Sequence, residues 1–244
     1  MKQVLYLVST LKKSGPTNQL SYIIKYIDRS QFNPVVLTLS NESHDSAISY
    51  FVDKLGVRVD TLGLSRLNGI IKAKSKVKKY ISDNNIDIVH TQGIRADGLI
   101  RKINIPSVTT LRNYPRNDYP SKFGRLKGYL MVWSHMRSIK LNKNNCIGCS
   151  KSIADNFLND DIKLKYIQNG VDMEKYYPLS EKDKIELRNK KNINPEGRIY
   201  ITVGSLIPRK NIKTIVHGFN LLNDKNSLLL VVGDGTEKKE LQLI

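Results

Sequence analysis

Residues 4–27 read VLYLVSTLKKSGPTNQLSYIIKYI. The run from Val4 to Val8 is almost entirely apolar, as expected of a strand that is buried on both faces. The polar turn at residues 14–17 follows it, and apolar residues then recur at helical spacing, at Leu20, Ile23, Ile24 and Ile27. This order predicts a strand, a loop and a helix, which are the first elements of a βαβ unit.

The same alternation continues along the first part of the chain. Short β-rich runs are separated by helical stretches, and this order favours a parallel sheet with helices on both faces. We therefore predict a doubly wound, Rossmann-like α/β domain over residues 1–168. The predicted strands after the first are 35–39, 57–62, 86–90, 107–110, 145–149 and 165–167, with a basic helix over 70–81.

The pattern changes at residue 169. Residues 169–197 contain glycines and prolines around a polar, charged helix near 181–191, which is typical of a linker (Gly170, Pro178, Pro195 and Gly197). A second series then begins, with a strand over 198–203, a helix over 211–222 and a strand over 227–232. We therefore predict a linker over 169–197 and a new domain from residue 198.

Residues 198–244 predict only an incomplete second Rossmann-like domain. A parallel pair of strands in about 45 residues buries too little apolar surface to be stable alone. It also leaves two open β edges. We therefore expect this chain to be the front part of a longer two-domain protein.

The composition is strongly basic. The 244 residues include 40 Lys and Arg against 22 Asp and Glu, which gives a formal charge of +18. Nucleic acid, anionic lipid and phosphate-bearing substrates are therefore all compatible partners. Two cysteines exclude a disulfide scaffold, and no apolar run reaches the roughly 20 residues of a membrane-spanning helix. Because the N-terminus also lacks a signal-peptide pattern, we expect a cytoplasmic protein.

The loop after the first predicted strand contains Gly15. Loops at the carboxyl ends of strands are where open α/β sheets bind ligands, and a helix N-terminus next to a glycine suits a phosphate. An ordinary turn in which Ser14 or Thr17 caps the helix explains the same residues equally well.

Two further loops follow the strands of the second series. Arg209 and Lys210 come after the Gly204-Ser205 turn at a predicted helix start, where cations oppose the helix dipole. A bound diphosphate would account for this arrangement, because Arg and Lys both bind phosphate oxygens, and a solvated basic turn is the alternative. The Gly233-Asp234 turn either borders a nucleotide site or is a tight turn with no ligand.

Taken together, these segments occur in the order found in one family. They are SG at 14–15, DIVH at 87–90, CS at 149–150, NGVD at 169–172, VGSL at 203–206, RKN at 209–211 and VGDG at 232–235. The succession resembles the retaining GT-B glycosyltransferases of the glycogen-synthase-like group, glycosyltransferase family 4. The resemblance covers nearly the whole chain, and its specificity lies in the ordered set.

The resemblance implies two Rossmann-like domains, with an acceptor on the N-terminal domain and a nucleotide-diphosphate sugar on the C-terminal domain. It implies that Arg209, Lys210 and the Gly15 amide hold the donor phosphates. The nucleotide-side residues would be Gly204, Ser205, Gly233 and Asp234. Such enzymes transfer the sugar with retention and stabilise the leaving diphosphate with fixed positive groups. A tightly bound metal or other cofactor is not characteristic of them.

The chain departs from the family pattern at several positions. The family often has Arg where Ser205 stands, and commonly has His where Arg112 follows the fifth strand. Arg112 cannot act as a base at neutral pH but could contact the donor phosphate or sugar. His90, at the end of a predicted strand, is either an active-site residue or a packed one. The Glu-x7-Glu segment of the family lies beyond residue 244, so we expect the chain alone to have little or no activity.

The remaining cysteine and histidine residues give no further site. Residues three apart on a strand lie about 10 Å apart on opposite faces, so Cys146 and Cys149 cannot share a metal. His44, His135 and His217 have no catalytic-triad partners at useful spacing, and we expect them on the surface or in packing.

The helix predicted over 121–143 has an unusual composition. It carries six Lys and Arg residues and no Asp or Glu, with apolar residues between them. We expect the apolar stripe to face a core, and peripheral attachment to anionic lipid is the functional alternative.

The main hypothesis is a glycosyltransferase that moves a hexose from a nucleotide sugar to a saccharide or lipid-linked acceptor in cell-surface polysaccharide synthesis, at the inner face of the membrane. A GT-B nucleotide-sugar epimerase and a non-catalytic basic module that binds anionic lipid are the alternatives. Nucleic acid is not a favoured partner, because the sequence has no helix-turn-helix, zinc-finger or RNP motif.

Overall fold

The structure is a computed structural model that describes residues 1–194 and 196–244, without the side chains of residues 66–68 and 70. It contains two compact units, Met1–Met173 and Glu174–Ile244, here called the N-terminal and C-terminal units. The predicted linker is therefore divided between them, and Pro195 lies outside the described residues. The predicted bounds at 168 and 198 stay predictions.

The N-terminal unit contains a parallel sheet of seven strands in the order β3-β2-β1-β4-β5-β6-β7. The strands are β1 (Lys2–Val8), β2 (Phe32–Thr38), β3 (Arg58–Thr61), β4 (Ile88–Gln92), β5 (Ser107–Leu111), β6 (Cys146–Gly148) and β7 (Lys165–Tyr166). The helices are α1 (Gly15–Tyr26), α2 (Arg66–Asp83), α3 (Ile94–Ile100), α4 (Pro115–Phe123), α5 (Arg125–Leu141) and α6 (Lys151–Leu158). The predicted doubly wound α/β fold is confirmed.

The central strand β1 is buried on both faces, as its apolar run predicts. Val4, Tyr6 and Val8 belong to the core cluster that includes residues of α1. Leu5 and Leu7 belong to a second cluster that includes residues of α2 and α3. Because successive residues of a strand point to opposite faces, one continuous apolar run supplies both layers.

The prediction of a single helix over 121–143 is wrong, because two helices, α4 and α5, occupy this region. Gly124 separates α4 from α5 with a φ of 78°, a left-handed conformation that favours glycine. The predicted apolar stripe is also divided. Val132, Met136 and Ile139 are buried, whereas Leu126, Tyr129, Leu130 and Trp133 are exposed. The helix therefore has two apolar faces, and one of them lies on the surface.

The segment NGVD at 169–172 is tied to the N-terminal unit. Gln19 of α1 donates to the Gly170 carbonyl at 2.9 Å, and Lys25 lies 3.0 Å from the Asp172 carboxylate. The Tyr26 hydroxyl also donates to Asp172, at 3.0 Å. Because Asp172 is buried, these contacts hold the end of the unit against α1.

The C-terminal unit contains two parallel strands, β8 (Arg198–Val203) and β9 (Ser227–Val232), paired along their full length. Its helices are α7 (Glu181–Lys190), α8 (Ile212–Leu222) and α9 (Lys238–Leu241). Apolar side chains of both strands and of α8 are exposed, including Val203 at 72% and Leu221 at 85%. The pair of strands thus leaves much of its apolar surface uncovered.

Candidate functional site

A cavity in the N-terminal unit lies at the carboxyl ends of β1 and β4. The strand order changes direction between these two strands, because β2 lies on one side of β1 and β4 on the other. Open α/β sheets bind ligands at such a switch point. The cavity has a volume of about 240 Å³, and its wall includes Ser9, Lys12, Ser14, Thr17 and Gln92.

The loop between β1 and α1 contains a helix-capping turn and a glycine with open space beside it. Ser14 caps α1, with its Oγ 3.5 Å from the Thr17 amide nitrogen, and the Thr17 hydroxyl donates to the Lys12 carbonyl at 2.6 Å. The capping turn is therefore present. At Gly15 a Cβ atom would have no neighbour within 4 Å, so a ligand could approach its backbone from that side. The phosphate-binding role of Gly15 stays a prediction.

His90 lies within β4 and is hydrogen-bonded. Its Nε2 is 2.7 Å from the Thr110 hydroxyl, and its ring lies 5.2 Å from the Tyr6 ring. Burial, and then the charge of Arg112, lower the pKa of His90 to about 4. The imidazole is therefore neutral at physiological pH. These contacts match the packed alternative, and a catalytic role for His90 stays a prediction.

Arg112 and Gln92 form a linked pair that sequence reasoning found only in part. The Arg112 Nε donates to the Gln92 Oε1 at 3.0 Å, and its Nη1 donates to the Asn169 Oδ1 at 3.2 Å. Burial lowers the pKa of the Arg112 guanidinium. Sequence reasoning missed Gln92, although its position just after the predicted strand 86–90 was an available signal.

The Gln92–Arg112 pair has N–H groups to spare. Within residues 1–194 and 196–244, the buried Gln92 Nε2 and Arg112 Nη2 have no hydrogen-bond partner, and no carboxylate forms an ion pair with Arg112. A buried cation is costly unless an anion or hydrogen-bond acceptors neutralise it. The arrangement therefore suits an oxygen-rich, anionic ligand at this edge of the sheet.

A buried network joins α3, α4 and α5. The Tyr119 hydroxyl lies 2.7 Å from the His135 Nδ1, and the His135 Nε2 lies 3.0 Å from the Asp97 Oδ2. His135 is a packing residue, as expected, and its two partners are far away in sequence. All three residues are buried, so the network positions helices and does not contact solvent.

In the C-terminal unit, the loops after β8 and β9 are bound to each other. The Gly204 amide donates to the Val232 carbonyl at 3.0 Å, and the Leu206 amide donates to the Asp234 carbonyl at 2.9 Å. A Cβ atom at Gly233 would lie 1.8 Å from the Gly204 oxygen. Gly233 is thus required for close backbone packing, which brings Gly204, Ser205, Gly233 and Asp234 together.

Arg209 and Lys210 lie in a 3-10 turn, Pro208–Lys210, that precedes α8. Asn211, with a φ of 51°, separates this turn from the first residue of α8. The two cations therefore directly precede the N-cap of α8, close to the predicted helix start, and lie near the positive end of the helix dipole. Both side chains are exposed, and no carboxylate in the described part of the chain forms an ion pair with either.

The sequence matches two protein families. Residues 14–175 match Glycosyltransferase Family 4, and residues 183–244 match Glycosyl transferases group 1. No curated protein matches the chain.

Several solved structures share the fold. The chain is similar to HepE from Anabaena, a structure in complex with UDP and glucose, with a TM-score of 0.72 and 17% identity over 100% of this chain and 65% of that one. It is similar to a sucrose-phosphate synthase from Thermosynechococcus elongatus, with a TM-score of 0.71 and 14% identity over 99% and 66%. It is also similar to a UDP-N-acetylglucosamine 2-epimerase, with a TM-score of 0.52 and 12% identity over 93% of this chain and 62% of that one.

The chain spans less than two thirds of the length of each of these structures. At such low identities the likeness shows the fold, which is GT-B. The first family match covers more than half of the 244 residues and includes Gln92 and Arg112. This chain therefore belongs to glycosyltransferase family 4.

Proposed function

We propose that this chain is part of a glycosyltransferase that moves a hexose from a nucleotide-diphosphate sugar to a saccharide or lipid-linked acceptor. The observation that carries the proposal is the position of Arg209 and Lys210. They are exposed cations that follow the loop after β8, which is hydrogen-bonded to the loop after β9. Both loops lie within a segment that matches a glycosyltransferase family.

The chemistry of these two cations suits a leaving diphosphate. As the bond to the sugar breaks, negative charge grows on the phosphate oxygen, and a positive group placed there beforehand stabilises the transition state. Arg can bind two phosphate oxygens at once, and Lys adds a compact charge. Gly204, Ser205, Gly233 and Asp234 would border the nucleotide.

The N-terminal unit would supply the acceptor side. Its cavity opens beside Gly15 and includes Gln92, whose Oε1 accepts a hydrogen bond from Arg112. Hydroxyl, carboxylate and phosphate oxygens of a saccharide are the acceptors that such N–H donors bind. We further propose retention of the anomeric configuration, and synthesis of a cell-surface polysaccharide as the role.

We also propose that activity requires a longer protein. The exposed apolar side chains of β8, β9 and α8 need further strands or helices to cover them. This chain alone should therefore bind donor weakly and turn over little or no substrate. Robust turnover by residues 1–244 would show that the donor site is wrongly placed.

The test is binding of UDP and GDP sugars to wild type and to Lys210→Ala, by isothermal titration. Loss of a charge-assisted phosphate contact should weaken binding by about tenfold or more. Lys225→Ala is the matched control, because Lys225 is an exposed lysine in the loop before β9. Equal affinity of wild type and Lys210→Ala would reject the phosphate assignment.

A nucleotide-sugar epimerase is the second candidate, favoured by the shared fold with a UDP-N-acetylglucosamine 2-epimerase. An epimerase changes the sugar of the donor without any acceptor. Mass and NMR analysis of the sugar product from the longer protein would distinguish the two activities, and would also give the anomeric configuration of a transferred sugar.

A further inference from the structure

The helix α5 carries a stripe of large apolar residues that faces away from the core. Leu126 is 81% exposed, Tyr129 61%, Leu130 63%, Trp133 64% and Leu141 69%. With 3.6 residues per turn, these positions fall on one side of the helix, centred about 120° from the buried Val132, Met136 and Ile139. A stripe of this kind on the surface marks a binding face.

Cations accompany the apolar residues on the same side of the helix. Arg137 and Lys140 fall within the stripe, and the Arg137 guanidinium lies 5.8 Å from the centre of the Trp133 ring. Lys122 and Lys127 lie 5.4 and 5.7 Å from the Phe123 ring, at the start of the helix. We call this surface the α5 face: Leu126, Tyr129, Leu130, Trp133, Arg137, Lys140 and Leu141.

The charge of the surrounding segment has one sign. Residues 119–154 contain no Asp or Glu and seven Lys or Arg residues. In the described part of the chain, none of these seven forms an ion pair with a carboxylate. Elsewhere on this basic protein, lysines such as Lys79 and Lys184 do pair with neighbouring acids. Lys140 is near enough to Asp160 to help lower the pKa of that carboxyl, but within the residues that the structure describes neither it nor Arg137 forms a short ion pair, so both are available to an external anion.

We propose that the α5 face lies on the surface of an anionic lipid bilayer. A helix of 17 residues is about 25 Å long, and lying flat it would place its apolar side chains at the acyl boundary while Arg137 and Lys140 contact lipid phosphates. Tryptophan and tyrosine prefer this interface because their rings are apolar and their N–H and O–H groups are polar. No helix in the described residues is both long and apolar enough to cross a bilayer.

A shallow groove on this face adds a place for a lipid headgroup. It has a volume of about 500 Å³, and its lining includes Trp133, Leu141, Arg137 and Lys140. Two cations beside apolar walls suit the phosphate and upper acyl chain of an anionic lipid. The inference deepens the proposed function, since such contact would bring the enzyme to a lipid-linked acceptor.

Trp133 makes the experiment direct, because it is the only tryptophan in the chain. Wild-type residues 1–244 are mixed with neutral phosphatidylcholine vesicles and with vesicles that also contain phosphatidylglycerol. We expect a blue shift of the Trp133 emission, and quenching by bromine-labelled acyl chains, with the anionic vesicles only. Added salt should reduce the binding, because it screens the cations.

Variants separate the α5 face from general basicity. Arg137→Gln with Lys140→Gln should weaken vesicle binding about thirtyfold, from the contribution of each basic residue near an anionic surface. Lys74→Gln with Lys78→Gln is the matched control, because both are exposed lysines on α2 and the change in net charge is the same. For the apolar part, Leu130→Ser should release the protein from vesicles and Ile71→Ser, an exposed isoleucine of α2, should not.

Three results would overturn the inference. The Trp133 emission could stay unchanged with anionic vesicles, or the two charge variants could lose equal affinity. The emission could also shift blue with rising protein concentration and no lipid, which would identify a second copy of the chain as the partner. Vesicle binding is measured without nucleotide sugar, so its failure would leave the Lys210 test of the donor site untouched.

Discussion

Replacement of His135 by phenylalanine would break the buried link between α3, α4 and α5. The imidazole lies 2.7 Å from the Tyr119 hydroxyl and 3.0 Å from the Asp97 carboxylate, and all three residues are buried. Phenylalanine keeps a flat ring beside Tyr119, whose ring stacks on His135 at 5.8 Å. The change therefore removes two hydrogen bonds and leaves most of the packing.

The magnitude follows from the two groups that lose their partner. The Tyr119 hydroxyl keeps a side-chain hydrogen bond with Asn113, so the loss of its bond to His135 costs about 1 kcal/mol. Breaking a buried pair that contains a carboxylate costs about 3–5 kcal/mol. Because the two effects overlap at one residue, we expect the free energy of unfolding to fall by about 4 kcal/mol. For a unit of this size that lowers the unfolding midpoint by about 8–16 °C.

Thermal unfolding followed by circular dichroism measures this change. His44→Phe is the matched control, since His44 is exposed and its replacement should shift the midpoint little. Adding Asp97→Leu to His135→Phe removes the stranded carboxylate and should restore part of the loss. A fall of less than about 2 °C, or no recovery in the double variant, would refute the assigned role of the network.

Three further predictions concern single residues. Because the folded pKa of His90 is about 4, the unfolded chain takes up the extra proton as the pH falls from about 6.5 to 4. The free energy of unfolding should therefore fall by about 3 kcal/mol over that pH range. In urea titrations, the free energy of unfolding of His90→Gln should depend less on pH; the same pH dependence as wild type would contradict the prediction. Burial raises the pKa of the Cys146 thiol to about 12, so iodoacetamide should modify it only after unfolding, as judged by mass spectrometry. Gly233→Ala should speed amide exchange in β8 and β9, because its Cβ would meet the Gly204 oxygen, whereas Gly218→Ala, in open space on α8, should not.

The sheet of the N-terminal unit was largely predictable from the sequence. Its strands are short apolar runs between helical stretches, and β1 carries one run that serves both faces. The helix over 121–143 was not predictable in the same way. Periodicity showed that apolar residues recur but not that they form two stripes, and it gave no reason to break the helix at Gly124. Only the packing of Val132, Met136 and Ile139 decides which stripe is buried.

The candidate site was predictable where its residues lie close together in sequence. Gly204 with Ser205 and Gly233 with Asp234 follow strand ends and can be found from the strands alone. Contacts between distant residues were not visible. Asp97, Tyr119 and His135 come from three helices, and Gln92 meets Arg112 only because β4 and β5 are adjacent strands.

The positions of the cations say more about the ligands of this protein than its total positive charge does. Arg112 is largely buried and held by the Gln92 and Asn169 side-chain amides, so salt should screen it weakly. Lys210 and the α5 face are exposed, and salt should screen them strongly. Each position presents cations without a carboxylate partner in the described residues. If the basic residues served only solubility, there would be no reason to bury Arg112, or to place tryptophan and leucine side chains beside the cations of the α5 face. We propose that the three positions bind different ligands: Arg112 an oxygen-rich anion, Lys210 a nucleotide diphosphate and the α5 face a lipid surface.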